Sequence, residues 1–158
     1  MAPRSKGNEA RAVEGVENPK DAISVSKLPT CLVPDSMRVF ASLAFLEGAL
    51  KYGSYNWRVA GIRASVYRSA LDRHITKWWN GEDTDPLTGV PHLASALACI
   101  AIILDADVSG RLTDDRPPAQ LDISALVDTM QDNIKKLKEL YGDIKPQHYT
   151  IENSGVKV

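Results

Sequence analysis

The sequence predicts an all-α protein, a bundle of about four helices. Apolar side chains recur at helical spacing in separate segments, and residues that begin or end helices stand between these segments. No segment shows a convincing strand pattern, and the chain contains no internal repeat and no glycine-rich phosphate loop. All three observations favour helices throughout.

Length and composition are those of one soluble domain with tails. The chain has 158 residues, of which 44% are hydrophobic and 25% are charged. Residues 1–26 contain few large apolar groups, so we expect a flexible N-terminal arm before a domain of residues 27–142. Residues 143–158 are predicted to form a C-terminal tail.

The composition also limits the class of function. A net charge of −1 argues against direct binding of nucleic acid. The longest apolar run, Leu93–Leu104, would rise only about 18 Å as a helix, which is too short to cross a membrane. Because Cys31 and Cys99 form no paired pattern and no signal peptide is evident, we expect a cytoplasmic protein.

The first helix is predicted to begin at Asp35 or Ser36, either of which can cap free backbone N–H groups, and to end at Gly53. Its apolar stripe consists of Val39, Leu43, Leu46 and Leu50, with Phe40 and Ala44 beside them. We expect a loop to follow, carrying Asn56, Trp57 and Arg58.

A second helix is predicted from Ser65, which could cap it, to about Asn80, with Gly81 as its stop. Its stripe consists of Tyr67, Ala70, Leu71, His74, Ile75 and Trp78. The segment Glu82–Pro91 contains glycine and proline breakers and is predicted to be a loop.

A third helix is predicted from His92 to about Asp105, and it is apolar on every side, so it must be surrounded. In so small a domain this indicates either a central position or a subunit interface, and we favour a helical bundle completed by oligomerisation. After a polar connection, a last helix is predicted over about Asp122–Tyr141, with Gly142 as its stop.

Charges separate by sign in the middle of the chain. Between Lys51 and Lys77 the bases outnumber a single acid, Asp72, and three acids follow within four positions: Glu82, Asp83 and Asp85. Bases pair with phosphate oxygens, and clustered carboxylates hold hard divalent cations. The combination predicts a site for a metal–polyphosphate substrate.

Glu82 and Asp85 are the candidate catalytic and metal-binding acids, and the alternative is a solvated acidic loop. His92 could ligate the cation, since its place at a helix N-terminus disfavours the protonated ring. His74 is a candidate for a direct role or, alternatively, a satisfied core histidine. Asp105 lies about 20 Å from His92 along one helix, so we expect it to be structural and to have a basic neighbour.

Substrate contacts are predicted from the bases and aromatic residues of the same stretch. The best phosphate ligands are Lys51, Arg58 and Arg73. Flat faces for a purine are offered by Trp57, Trp79, Tyr52 and Tyr67, which could instead be core or interface residues. Asn56 could help to hold the base or sugar. Because no activated serine or cysteine is recognisable, a water activated by a metal ion is the expected nucleophile.

Several of these strings together resemble the dATP/dGTP diphosphohydrolase domain, a relative of the all-α MazG nucleotide pyrophosphohydrolases. The matching elements are KYGSYNWR from Lys51, then Tyr67, the pair Arg73–His74, Trp78, the string GEDTDPLTGVPHL ending at Leu93, and the apolar helix after it. The strings are similar to those of the MazZ type, found in phages whose DNA contains 2-aminoadenine.

The resemblance implies hydrolysis of dATP and dGTP between the α- and β-phosphates, giving a dNMP and pyrophosphate with Mg²⁺ or Mn²⁺. In a MazZ-type role, removal of dATP keeps adenine out of the genome, and dGMP supplies the synthesis of 2-aminoadenine nucleotides. It also implies a homo-oligomer, a dimer or tetramer.

The sequence departs from the broader MazG pattern, in which ExxE on one helix and ExxD on the next hold the metal. Here only Glu82 and Asp85 are plain, and His92 stands where a further acid is expected. Glu47 could complete the ligand set, or it could pair with Lys51 at i,i+4. Two other functions stay open: a broad housecleaning pyrophosphohydrolase, and a non-catalytic nucleotide-binding module.

Overall fold

A computed structural model describes residue 20, residues 27–118, residues 121–150 and residue 153. The chain divides into two units, Met1–Pro34 and Asp35–Val158. In the first unit, Thr30–Leu32 form a 3-10 turn. The predicted arm, residues 1–26, lies outside the described residues except for Lys20, so this boundary and the one at residue 143 stay predictions.

The second unit is all-α, as predicted. Its helices are α1 (Asp35–Tyr52), α2 (Asn56–Ala60), α3 (Ala64–Trp79), α4 (His92–Val108), α5 (Ile123–Asp128) and α6 (Gln131–Tyr141). Two strands that the sequence did not predict, β1 (Ile62–Arg63) and β2 (Leu112–Thr113), pair in parallel with Ile62 beside Leu112. No described helix is long and apolar enough to span a membrane.

Helix α4 is the centre of this unit and packs against both α1 and α3. Its buried side chains are those of His92 and four alanines: Ala94, Ala96, Ala98 and Ala106. The apolar core joins α4 to Ala44 of α1 and to Val90, with Phe45 packed against it. Small residues at these contacts let the helices approach closely, and the bulkier side chains line the spaces beside them.

A single chain does not cover α4 on every side, and the expectation that a subunit interface completes the bundle stays a prediction. Leu93 is 44% exposed and Leu104 is 62% exposed. The predicted stripe of α1 is also outside, since Leu46 is 55% and Leu50 is 80% exposed. Helix α1 instead turns inward the side that carries Ala44, because this small side chain lets the helix approach α4 closely.

The link between α1 and α3 differs from the predicted loop because it contains α2 and β1. Backbone hydrogen bonding fixes it, since Ile62 N donates to Arg111 O at 3.0 Å. Ser65 does not cap α3, which begins at Ala64. Its backbone N and Oγ instead donate to the Asp115 carboxylate at 2.8 and 2.6 Å.

The predicted last helix is divided into α5 and α6 at Thr129 and Met130. The Thr129 hydroxyl donates to Leu126 O at 2.6 Å, so a side chain serves this carbonyl at the break. The cap at Asp122 is as predicted, because its carboxylate accepts from Ala125 N. Every residue of 121–150 is exposed in the single chain.

Candidate active site

A cavity of about 480 Å³ lies beside the core, with walls from α1, α2, α3, α4 and the loop before α4. It brings together nine residues that the sequence analysis named for the site: Glu47, Lys51, Tyr52, Asn56, Trp57, Tyr67, Arg73, His74 and Asp85. We call this space the first cavity. Its walls combine cations, carboxylates and aromatic rings, which are the groups that a metal–nucleotide substrate requires.

Two cations line the first cavity, and their situations differ. Lys51 Nζ donates to Glu47 Oε1 at 2.6 Å, and this hydrogen bond raises the pKa of the lysine. Arg73 forms no ion pair with any acid in the described part of the chain. The guanidinium of Arg73 is therefore free to bind an anion.

Asp85 lies in a tight turn that the loop forms before α4. Its backbone N donates to Val90 O at 2.9 Å, and Gly89 N donates back to Asp85 O at 2.8 Å. One carboxylate oxygen, Oδ1, accepts from the backbone N of Thr88 and of Leu87, each at 3.0 Å, and these bonds lower the pKa of Asp85. The other oxygen, Oδ2, accepts no hydrogen bond from the described residues.

Glu82 and His92, both predicted metal ligands, lie in a hydrogen-bonded chain that reaches the first cavity at His74. Lys77 Nζ and His92 Nε2 each lie 2.9 Å from Glu82 Oε1. The two histidines meet through their Nδ1 atoms at 3.0 Å. His92 is 1% exposed, whereas His74 lines the cavity.

The carboxylate at one end of this chain determines the proton positions. Because ionised Glu82 only accepts, His92 Nε2 donates to it. The His92 tautomer with its proton on Nε2 accepts at Nδ1, so His74 donates from its own Nδ1 and keeps a lone pair on Nε2. Burial lowers the pKa of His74, with a further contribution from His92, which favours this neutral form.

Two other predicted substrate ligands do not line the first cavity. Arg58 makes a two-pronged ion pair with Asp105, at 2.8 Å from Nε to Oδ2 and 2.6 Å from NH2 to Oδ1. The basic neighbour expected for Asp105 is thus present. Trp79 is 79% exposed and lies outside both cavities described here.

The cavity also contains residues that the sequence analysis did not select, among them Phe45, Gly48, Ser95 and Cys99. The sequence does indicate two of them, since Phe45 and Gly48 stand at i and i+3 on the same face of the first helix as Tyr52. Burial raises the pKa of the Cys99 thiol and of the Tyr67 hydroxyl, so both stay protonated at neutral pH.

The first cavity contains two carboxylates that could contribute to a divalent cation site. Across the described residues, no three or more His, Cys, Asp or Glu side chains form a group that could hold a metal ion. Glu47 and Asp85 nevertheless line one cavity, and each has an oxygen without a hydrogen-bond donor among those residues. Mg²⁺ is commonly held by one or two carboxylates together with substrate phosphates.

Comparison with known families gives one match. The family model described as dATP/dGTP diphosphohydrolase, N-terminal, matches residues 17–116, which is more than half of the chain. The matched range includes every residue that lines the first cavity. Searches of curated proteins and of solved structures give no match.

Proposed function

Because this chain belongs to the dATP/dGTP diphosphohydrolase family, an enzyme family, we propose that it hydrolyses dATP and dGTP between the α- and β-phosphates. The products are a dNMP and pyrophosphate. The observation that carries the proposal is the first cavity, where a free guanidinium, two carboxylates and several aromatic rings share about 480 Å³.

Arg73 and Lys51 bind the triphosphate. Arg73 is available without breaking an ion pair, and Lys51 exchanges its bond to Glu47 for one to a phosphate oxygen. Both cations then offset the negative charge that shifts onto the leaving pyrophosphate. Arg58 was also predicted as a phosphate ligand, but it is bound to Asp105 and lies outside the first cavity, so we assign it no phosphate contact.

Glu47 and Asp85 would hold Mg²⁺ or Mn²⁺ together with the substrate phosphates. When bound, the cation would supply Lewis-acid stabilisation of the phosphoryl oxygens and an activated water. Release of Lys51 to the phosphates frees Glu47 Oε1, while the backbone bonds to Oδ1 keep Asp85 in place. Substrate and cation are therefore expected to bind together.

Hydrolysis is an in-line displacement by water. The water oxygen forms a bond to the α-phosphorus, the bond to the α–β bridging oxygen breaks, and pyrophosphate leaves. A carboxylate of the cavity accepts the proton that the water loses, as the sequence analysis expected. The aromatic rings of Trp57 and Tyr67 hold the base by stacking.

Glu82 and His92 support this site indirectly in our proposal. Their hydrogen bonds fix the orientation and tautomer of His74, which then presents Nε2 as an acceptor to substrate or water. The sequence had suggested both as direct metal ligands. The two roles are separated by the variants of Asp85 and Glu82 described in the Discussion.

We propose in addition that a second copy of the chain covers the exposed apolar side chains of α1 and α4. Leu50 is 80% exposed and Val108 is 91% exposed in the single chain. Burial of such side chains releases about 1.5–3 kcal/mol each, which favours self-association. A dimer or tetramer is the proposed state.

The phage role implied by the resemblance is part of the proposal. Hydrolysis of dATP would remove the precursor of adenine, and hydrolysis of dGTP would provide dGMP for 2-aminoadenine nucleotides. This role requires that purine dNTPs be preferred over pyrimidine dNTPs.

The deciding experiment is product analysis of the purified chain with each of the four dNTPs, with and without Mg²⁺ or Mn²⁺. We expect metal-dependent dAMP and dGMP with pyrophosphate. Equal rates on dCTP and dTTP would favour the housecleaning enzyme instead. Release of orthophosphate would overturn the site of cleavage, and binding without any turnover would favour the non-catalytic module.

A further inference from the structure

A compact cluster anchors the short helix α2 to α4 through one carboxylate. Asp105 Oδ2 accepts from Trp57 Nε1 at 2.6 Å and from Arg58 Nε at 2.8 Å, while Oδ1 accepts from Arg58 NH2 at 2.6 Å. Along the chain, Trp57 is separated from Asp105 by 48 positions and Arg58 by 47 positions. Asp105 thus accepts hydrogen bonds from two neighbouring side chains of α2.

Aromatic contacts complete the cluster. The Trp57 ring lies 5.6 Å from the Phe45 ring and 5.6 Å from the Tyr55 ring, measured between centroids. The Arg58 guanidinium lies 5.9 Å from the centre of the Tyr55 ring. The indole therefore contacts two aromatic rings, and its N–H donates to the carboxylate of Asp105.

This arrangement puts the indole on a shared wall. A second cavity of about 540 Å³ lies beside the first, and Phe45 and Trp57 line both of them. Arg58 and Asp105 line only the second cavity. Rotation of the Trp57 ring would therefore change the shape of the first cavity, although Asp105 itself lies outside it.

The position of Asp105 is unfavourable for helix α4 alone. It lies in the last turn of α4, where the negative end of the helix dipole repels a carboxylate. The ion pair with Arg58 and the bond from Trp57 compensate, and they lower the pKa of Asp105 to about 2. The Asp105 carboxylate is thus stabilised by its contacts with Arg58 and Trp57 and not by the helix dipole.

We propose that Asp105 is a positioning residue that fixes Trp57 on the wall of the first cavity and thereby sets the affinity for the nucleobase of the substrate. This inference rests on the proposed function, since it takes Trp57 as the stacking surface for the base. The cations and carboxylates of the cavity bind the triphosphate, so Asp105 acts on the base and not on the phosphates.

The test compares ligands that share phosphates but differ in the base. Asp105→Asn keeps the shape of the side chain but removes its charge and one acceptor oxygen. Its affinity for a dGTP analogue with a methylene bridge between the α- and β-phosphorus is expected to fall about tenfold, within the range for loss of base stacking. Its affinity for inorganic triphosphate is expected to stay at the wild-type value.

Asp114→Asn is the matched control. Asp114 is also an acid in a two-pronged pair, with Arg116, and its pKa is also about 2, but it lines neither cavity. This variant is expected to bind both ligands as the wild type does. A chain with Trp78→Phe and Trp79→Phe leaves Trp57 as its sole tryptophan, and its emission should shift with Asp105→Asn but not with Asp114→Asn.

Trp57→Phe gives a second comparison, because it retains a ring but removes the N–H that Asp105 accepts. In the Trp57→Phe background, Asp105→Asn should lower the affinity for the analogue much less than it does in the wild type. An equal loss of affinity for the analogue and for inorganic triphosphate would show that Asp105 is merely structural, and it would overturn the inference. Unchanged analogue affinity in Asp105→Asn would overturn it as well.

Failure of the proposed function would be visible separately. If the wild-type chain binds the analogue tightly but forms no dNMP from any dNTP, the proposed hydrolysis is wrong. A loss of affinity in Asp105→Asn for the analogue, but not for inorganic triphosphate, would still support the positioning role. A wild-type chain that binds inorganic triphosphate and the analogue equally overturns the positioning role, even if it hydrolyses dNTPs.

Discussion

At the scale of single residues, Asp85 combines one fixed and one available carboxylate oxygen. The bonds from Leu87 and Thr88 hold Oδ1, and they lower the pKa of the group so that it stays ionised. Glu82 has its carboxylate against Lys77 and His92 and does not line the first cavity, whereas Asp85 does. Of the two acids, Asp85 is therefore better placed to contact a cation.

This difference predicts unequal losses of activity. Asp85→Asn should lower kcat/KM for dGTP about a thousandfold, because it removes charge at the reacting phosphate. Glu82→Gln should lower it about ten- to a hundredfold, as expected for a residue that acts through another ligand. Asp83→Asn, an exposed acid of the same loop, is the control and should retain full activity.

A loss in Glu82→Gln as large as that in Asp85→Asn would instead identify Glu82 as a direct ligand. Thermal midpoints of all three variants, measured in parallel, separate a lost contact from lost folding.

His74 links the site to the pH dependence of stability. Its pKa in the folded chain is lowered from 6.5, chiefly by burial, so below about pH 6.5 the unfolded chain binds the proton more readily. The free energy of unfolding should therefore decrease as the pH falls from 7 towards 5. His74→Gln should flatten this decrease, as measured by urea denaturation without metal at each pH.

His148→Gln, which alters an exposed histidine, provides the comparison for that series. If the wild type and His74→Gln lose stability in parallel on acidification, the predicted contribution of His74 is wrong.

At the scale of elements, the segment from α2 to α3 is set by contacts distant in sequence. Gly61 has a φ of 73°, and Ile62 next to it bonds to Arg111. A strand of two residues has no periodicity to detect, and α2 has only five residues, so neither could be predicted from local sequence. By contrast, the bounds predicted for α1, α3 and the start of α4 agree with the structure within a residue or so.

Gly61→Ala should therefore destabilise the fold. A Cβ at this position would lie 2.9 Å from Arg111 O, and the positive φ is unfavourable for alanine. We expect the free energy of unfolding to decrease by about 1–3 kcal/mol, measured by chemical denaturation. The prediction fails if Gly61→Ala is as stable as the wild type.

Gly48→Ala is the matched substitution, because Gly48 lies inside α1 and an added Cβ would meet nothing within 4 Å. It should increase stability by about 0.5–1 kcal/mol, the usual advantage of alanine in a helix.

At the scale of the whole molecule, the apolar side chains of α1, α4, α5 and α6 exceed what a single chain covers. Leu104 is 62% exposed near the end of α4, and Leu137 is 54% exposed on α6. The sequence analysis reached the same conclusion from the uniform hydrophobicity of α4. The sequence could not determine which apolar faces remain exposed in the single chain, because that depends on which side of α1 packs on α4.

Leu104→Glu should weaken self-association about tenfold or more, since a charge at an apolar contact must be desolvated. Sedimentation equilibrium over a range of concentrations measures this change. Leu87→Glu alters an equally apolar, 91% exposed side chain of the loop before α4 and should leave the association unchanged. A monomeric wild-type chain would contradict the prediction outright.

The sequence by itself determined the all-α class, the main helices and most of the charged and aromatic residues of the first cavity, because helical periodicity and charge clusters are local properties. It also determined the family, through strings between Lys51 and Leu93. Only the tertiary structure decided that Glu47 and Asp85 share a cavity, and that Glu82 reaches it through His92 and His74. It likewise decided that Asp105 holds Trp57, since these contacts join residues whose separation along the chain carries no local signal.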